Sequence, residues 1–215
     1  MTTLAMFNAG GSPSLLAATP ARSSESSMQE RLAMFFSEQG PYIDTCRELL
    51  RSLRAAAIEH VFVGDVALKA YDAPYAEQRV EVCVQLADID KFRGEFAGHV
   101  FTPLPGQATR YYWPATHVEI GLLASGEVAG DRFRQQEIRW PDASEAAWVQ
   151  GVPVPMLARL IDLKLATWDP ADRGDVAHLI AANGLDKSFA GSIHVLVRAA
   201  YLECCSREAQ RDVRN

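Results

Sequence analysis

The chain has 215 residues, a formal net charge of -6 and a pI near 5.4, which argues against a protein that binds nucleic acid through its overall electrostatic field. Its contents of 48% hydrophobic and 22% charged residues are typical of a soluble globular protein, and no apolar run reaches the ~20 residues that would span a membrane. The cysteines lack CxxC spacing and two are adjacent, which predicts reduced thiols in a cytoplasmic protein and favours neither a zinc site nor a disulfide framework: Cys46, Cys83, Cys204 and Cys205.

Three regions follow from the order of the helix and turn signals. Residues 1–27 are rich in Ser, Ala and Thr and lack the basic and apolar regions of a secretory signal, so we expect a disordered tail. Residues 28–186 form the predicted domain, and residues 187–215 form a helical extension. The domain opens with a predicted helix from Met28 to Ser37, and Pro41 opens a second, amphipathic helix. The apolar positions of that second helix are Ile43, Cys46, Leu50, Leu53 and Ala57.

The stretch from His60 to Leu86 is the most informative part of the sequence. It predicts a buried strand from His60 to Val63, a turn at Gly64, a short helix from Val66 to Tyr71 and a second strand from Arg79 to Leu86. In the second strand apolar and polar residues alternate, which predicts one face on the core and one polar face. The apolar set is Val80, Val82, Val84 and Leu86, and the polar set is Glu81, Cys83 and Gln85.

Asp88 and Asp90, which follow this strand, have the DxD spacing of a metal-binding pair. They also precede the predicted helix at residues 91–98, where an aspartate caps the helix and favours its positive end. We favour capping as their role, and metal binding stays open as the alternative.

Beyond Gly98 the pattern is first that of strands and then that of helices. Strands are predicted at residues 99–102, 108–113, 118–123 and 132–140, and a hairpin at residues 148–153. Three helices follow, which begin at Pro155, at Asp169-Pro170 and at Lys187, the last of them running to Arg207. In the second of these helices, Asp172 and Asp175 flank Arg173 and predict a local ion-pair network.

Four segments together resemble a known family. They are Gly64, Ala67, Leu68 and Tyr71; then Arg79 and Val84; then residues 118–123; and finally Gly151, Val152, Val154, Leu160, Ile161, Lys164, Leu165, Asp172, Asp175, Val176 and Leu179. In this order they resemble the nucleotidyltransferase-fold proteins of the AbiEii and minimal-nucleotidyltransferase type, known from bacterial toxin–antitoxin pairs. The resemblance implies an α/β (α+β) fold with a mixed, mostly antiparallel central sheet, helices on its faces and C-terminal helices.

The departures from the family pattern fall where the resemblance implies metal ligands. Family members hold two Mg²⁺ ions with three carboxylates on adjacent strands. Counted from Arg79, those positions are Cys83 and Gln85, with Gly121 on the neighbouring strand, and none of the three can replace an aspartate as a magnesium ligand. At the glycine turn, Asp65 stands where the family has Gly or Ser, and its charge would repel phosphate there.

The sequence therefore predicts a pseudoenzyme that binds a protein or a small molecule in the former cleft, with no cofactor. Its cleft candidates are Gly64, Asp65, Arg79, Glu81, Glu119 and Lys164. We expect Lys164 to project from a buried helix and Cys83 to be a buried, unreactive thiol.

Two alternatives to the pseudoenzyme stay open. The first is an active transferase that uses Mg²⁺ and a nucleoside triphosphate with relocated carboxylates. Its candidate ligands are Glu81, Glu119, Asp88 and Asp90, of which Glu81 and Glu119 are expected about 6–7 Å from the lost ligand positions, two residues along each strand. The second is a structural protein that assembles through its C-terminal helix.

Overall fold

The computed structural model describes residues 21–130, 137–167 and 169–212. The helices are α1 (Ala21–Phe35), α2 (Pro41–Ala55), α3 (Gly64–Ala70), α4 (Leu86–Phe96), α5 (Leu157–Ala166), α6 (Pro170–Ala182) and α7 (Arg198–Asp212). The strands are β1 (His60–Val63), β2 (Arg79–Val84), β3 (Thr102–Pro103), β4 (Arg110–Tyr112), β5 (Glu119–Ala124), β6 (Ala146–Val149) and β7 (Val152–Pro155). Short 3₁₀ helices span Ala143–Glu145 and Lys187–Ser192. The predicted tail up to residue 20, and residues 132–136 of the strand predicted at 132–140, lie outside the described residues.

The central sheet has five strands in the order β1-β2-β5-β4-β3. β2 and β5 are parallel, and the other neighbouring pairs are antiparallel. The prediction of a mixed, mostly antiparallel sheet flanked by helices is thereby confirmed. Strands β6 and β7 form a separate hairpin that packs beside β1 and α3, and its turn at Gln150 and Gly151 lies where the sequence predicted a hairpin.

One face of the sheet carries the hydrophobic core. Alternate residues of the central strands point to this face and are almost completely buried: Val80, Val82, Tyr111, Ile120 and Leu122. Helices α2 and α4 pack on these strands, and the ring of Phe92 in α4 lies 5.3 Å from that of Tyr111. Because side chains alternate along a strand, the intervening residues of β2 and β5 point to the opposite face. That face looks toward α5 and α6 and contains the candidate site.

Strand β2 is shorter than predicted. It ends at Val84, Gln85 is the N-cap of α4, and Leu86 is the first residue of that helix with 65% of its surface exposed. The prediction that Leu86 continues the inner face is wrong, because Ile89 and Phe92 continue the apolar pattern at helical spacing and are buried instead.

The early start of α4 also changes the roles of two aspartates. Asp88 lies in the first turn of the helix, where its charge favours the positive end of the helix dipole, but neither Asp88 nor Asp90 is the N-cap. Asp90 instead forms an ion pair of 2.6 Å with Arg93.

Several predicted boundaries at the two ends of the chain are also wrong. Helix α1 begins at Ala21, upstream of the predicted start, and Ala57 follows α2 as an exposed residue with a φ of 50°. The long last helix is interrupted, because the 3₁₀ segment capped by Asp186 comes first and α7 begins only at Arg198. Helix α7 packs against α6, and Tyr201 is fully buried in the common core. None of the described helices is long and apolar enough to cross a membrane.

Candidate functional site

A cleft of about 380 Å³ lies between the polar face of the sheet and helices α3, α5 and α6. Its volume falls within the range of pockets that hold small molecules. Eighteen of the described residues line it: Val63, Gly64, Asp65, Ala76, Gln78, Arg79, Glu81, Arg110, Leu123, Trp140, Leu160, Leu163, Lys164, Thr167, Asp169, Ala171, Asp172 and Asp175. Of the predicted cleft candidates, Gly64, Asp65, Arg79, Glu81 and Lys164 are among them, whereas Glu119 is not.

The sheet side of the cleft contains an ion-pair network built on three strands. Glu81 lies opposite Gly121 across the β2–β5 pair, and Gly121 lies opposite Arg110 across the β5–β4 pair. The Arg110 guanidinium contacts Glu119 Oε1 at 2.6 Å and lies 3.7 Å from Glu81 Oε1. Arg79 Nε lies 3.3 Å from the same Glu81 oxygen. Both arginines therefore compensate the charge of Glu81.

The Arg110 guanidinium lies against Gly121, which has no side chain. A β-carbon on Gly121 would lie 3.5 Å from Arg110 Nη1 and 3.5 Å from Glu81 Cγ. These distances are ordinary van der Waals contacts, so the glycine is not imposed by crowding. The guanidinium thus lies directly beside the strand position where the resemblance implies a third carboxylate.

None of the three positions predicted to correspond to lost metal ligands, Cys83, Gln85 and Gly121, is among the described residues that line the cleft. The Cys83 side chain is buried on the same side of β2, beyond Glu81, and burial raises the pKa of its thiol. The prediction of a buried, unreactive thiol is consistent with this position. Gln85 lies outside the strand, and its amide donates a hydrogen bond to Asp142. The residue of β2 that carries a carboxylate into the cleft is Glu81.

Helix α3 brings Asp65 to the cleft. The turn before it requires Gly64, which has a φ of 57° and would, with a β-carbon, approach Glu81 Oε2 to 3.0 Å. Asp65 is half-buried, and its Oδ2 accepts a hydrogen bond of 3.2 Å from the backbone N–H of Gln78. Burial raises the pKa of Asp65, and this effect outweighs the lowering by the Gln78 N–H.

The helical side of the cleft is held together by Lys164. Its Nζ donates to Asp172 at 2.9 Å and to Asp175 at 2.8 Å, which joins α5 to α6. Burial alone would lower the pKa of Lys164, but the two carboxylates raise it above its ordinary value. The sequence predicted a local ion-pair network of these two aspartates around Arg173. The network is present, but its cation is Lys164, and Arg173 contacts Glu203 at 3.3 Å. Lys164 projects into the cleft, but as an ion-paired residue.

The remaining relocated carboxylates do not gather at the cleft. Asp88 and Asp90 lie on α4, and Glu119 is held by Arg110. Across the described part of the chain, no group of three or more His, Cys, Asp or Glu side chains has an arrangement that could hold a metal ion.

Thirteen of the eighteen described residues that line the cleft were not among the predicted candidates, and they include Arg110, Trp140 and Asp169. The signal for Arg110 is its place in a predicted strand next to Tyr111, because alternation puts the two side chains on opposite faces. Only the pairing of β4 with β5 places Arg110 beside Gly121. Trp140 lies in a connecting segment and not in the strand predicted up to that residue, whereas Asp169 is the N-cap of α6, where a helix was predicted to begin.

Comparison with protein-family models yields no match to this chain, and comparison with curated proteins yields none of significance.

Proposed function

We propose that this protein is a nucleotidyltransferase-like pseudoenzyme, which binds a ligand in its cleft and does not catalyse Mg²⁺-dependent nucleotidyl transfer. The strand, glycine turn and helix of β1 and α3, followed by the parallel neighbours β2 and β5, agree with the arrangement that the resemblance implies. The glycine turn and both strands contribute residues to one cleft of ligand size. These features support the proposal of a binding role for the cleft.

The observation that carries the proposal is the position of Arg110. Its guanidinium lies between Glu81 and Glu119 and beside Gly121. A two-metal transferase requires carboxylates that face Mg²⁺ at this place. Here a permanently charged arginine already compensates both glutamates, so a divalent cation beside it would meet electrostatic repulsion.

The charge of the cleft also opposes the binding of a triphosphate. Its cations are engaged by Glu81, Asp172 and Asp175, and Asp65 adds a negative charge beside the glycine turn. The active transferase with relocated carboxylates is less well supported, because Glu81 alone among its candidate ligands lines the cleft.

Calorimetric titration of the full chain with ATP, in the presence and absence of Mg²⁺, tests the proposal. We expect no magnesium-dependent binding, and no label transfer from α-labelled nucleoside triphosphates in a parallel assay. The matched variant is Glu81→Gln, which removes the cleft carboxylate of β2. Magnesium-dependent ATP binding that this substitution abolishes would contradict the proposal and would support a rebuilt transferase site.

A further inference from the structure

Negative charge is in excess among the described residues that line the cleft. Five of these residues are carboxylates, namely Asp65, Glu81, Asp169, Asp172 and Asp175, and three are cations, namely Arg79, Arg110 and Lys164. Each cation is already engaged: Lys164 contacts Asp172 and Asp175, and both arginines lie within 4 Å of Glu81. An anionic ligand would therefore have to compete with ion pairs inside the protein.

Asp65 differs from the other carboxylates of the cleft because it is half-buried and has no salt bridge to any described residue. The carboxylates of Glu81, Asp172 and Asp175 are ion-paired. Asp169 has no salt bridge to a described residue either, but it is exposed and caps α6. The hydrogen bond from Gln78 reaches Oδ2 of Asp65, and Oδ1 has no hydrogen bond among the described residues. A partly desolvated carboxylate of this kind gains most from a ligand that brings a positive charge, because Coulomb attraction is stronger where water is displaced.

Apart from Gln78 and Thr167, the uncharged side chains of the wall are apolar and belong to several elements. Its side chains are Val63, Ala76, Leu123, Trp140, Leu160 and Leu163. A small inorganic cation would make no use of this surface, whereas the hydrocarbon or ring of an organic ligand would bury it. Trp140 is also among the lining residues, and an indole is the aromatic group that attracts organic cations most strongly.

We propose that the cleft binds an organic cation, namely a primary amine or a guanidinium on an apolar or aromatic body, with Asp65 receiving the charged group. This inference rests on the proposed function, since it names the class of ligand that the non-catalytic cleft takes. The apolar body of the ligand lies against Leu123, Leu160 and Leu163, and the charged end lies at α3.

A series of four ligands with the same aromatic body and different charge tests this inference. Tyramine is the cation, 4-hydroxyphenethyl alcohol the neutral analogue and 4-hydroxyphenylacetate the anion, and 4-hydroxyphenethylguanidine carries a guanidinium on the same ring. We expect calorimetry on the full chain to show binding of either cation at least about tenfold tighter than of the neutral and anionic analogues, as is typical of a hydrogen-bonded charge pair.

Two variants and one control locate the binding site. Asp65→Asn removes one charge and should weaken amine binding about tenfold or more. Ala76 is exposed at the cleft, so Ala76→Trp should block the cleft without disturbing the core and should abolish binding of every probe. Glu95→Gln makes the same change of charge at an exposed position of α4 outside the cleft and should leave binding unchanged.

The outcomes separate this inference from the proposed function. If the anion or the neutral analogue binds more tightly and Ala76→Trp blocks that binding, the inference of a cationic ligand is overturned. The proposal that the cleft binds a ligand would then still stand. Failure of both cationic probes to bind, or binding of these probes that Asp65→Asn leaves unchanged, would overturn the inference of a cationic ligand as well. Magnesium-dependent nucleotide transfer would instead overturn the proposed function, whatever the amines do.

Discussion

The guanidinium of Arg110 lies 3.5 Å from the place that a β-carbon on Gly121 would take. Position 121 therefore accepts a side chain, and Gly121→Asp should fold. Position 121 is buried, so desolvation of the new carboxylate offsets most of its attraction to Arg110, and we expect the free energy of unfolding to change by no more than about 2 kcal/mol. Urea denaturation measures this change, and a loss of several kcal/mol would show that the space beside Gly121 is not usable.

Removal of the arginine should turn the same place into a metal site. In the double variant Arg110→Ser with Gly121→Asp, the carboxylates at positions 81, 119 and 121 lose the cation that lies among them, and Arg79 at the edge of the group contacts Glu81 alone. We expect this variant to bind Mn²⁺ at least tenfold more tightly than the wild type, because hard oxygen ligands favour divalent cations. Calorimetry or electron paramagnetic resonance detects the metal, and Gly121→Asp alone is the control. Equal Mn²⁺ affinity in the single and double variants would contradict the view that Arg110 excludes metal.

Lys164 should contribute strongly to stability. Lys164→Met removes the charge that Asp172 and Asp175 share and leaves two largely buried carboxylates facing each other. Such a loss costs about 2–4 kcal/mol, somewhat less than a fully buried pair would. Chemical denaturation measures the loss, and Lys164→Arg, which keeps the charge, is the matched control. A loss below about 1 kcal/mol would mean that water screens the network.

The same network predicts the alkaline limit of stability. Burial lowers the pKa of Lys164, but Asp172 and Asp175 raise it above the ordinary value of 10.5. A group whose pKa is higher in the folded protein contributes its full stability below the unfolded value and loses it as pH rises through the folded value. The wild type should therefore lose stability relative to Lys164→Met above about pH 10.5. A difference between the two proteins that stays constant through alkaline pH would contradict this linkage.

The charge of Asp65 should reduce stability at neutral pH. Burial raises the pKa of Asp65, so the folded state favours the protonated carboxyl, and this contribution is present below 3.8 and is lost as pH rises. Asp65→Asn should stabilise the protein at pH 7, on the order of 0.5 kcal/mol because the side chain is partly solvated. Its amide oxygen can still accept the Gln78 N–H. Thermal unfolding across pH measures the effect, and equal or lower stability of the variant at pH 7 would contradict it.

Most of the structure of the stretch from His60 to Leu86 could be predicted from the sequence, but the end of β2 could not. The strand from His60 to Val63 and the start of β2 at Arg79 both agree with the structure. The alternation from Val80 to Leu86 also fits a longer strand, while Ile89 and Phe92 fit a helix that begins near Leu86. Local periodicity gives both interpretations, and packing against the sheet decides between them.

The candidate site was predictable only in part, for a related reason. Asp65, Glu81 and Lys164 follow from their places in single elements, and they do line the cleft. Arg110 compensates the charge of Glu81, and the pairing of β2 and β4 with β5 brings the two residues together. Register between strands distant in sequence depends on the whole sheet, so no local pattern contains it.

Helix α1 lies close against the turn of the β6–β7 hairpin at Gly151. Gly151 has a φ of 83°, and a β-carbon there would lie 2.6 Å from the backbone nitrogen of Leu32 and 3.0 Å from the carbonyl oxygen of Met28. These are backbone atoms of a helix and cannot move separately. Gly151→Ala should therefore displace α1 and cost about 2 kcal/mol or more, from strain in the turn and loss of packing.

Amide hydrogen exchange identifies the helix that is affected. We expect faster exchange in α1 while the strands of the central sheet keep their protection, because the hairpin that α1 approaches is separate from that sheet. The matched control is Gly174→Ala in α6, where a β-carbon meets no atom within 4 Å and the residue is helical. That substitution should stabilise the protein by up to about 1 kcal/mol. Unchanged exchange in α1 on Gly151→Ala would contradict the close approach of the helix to the turn.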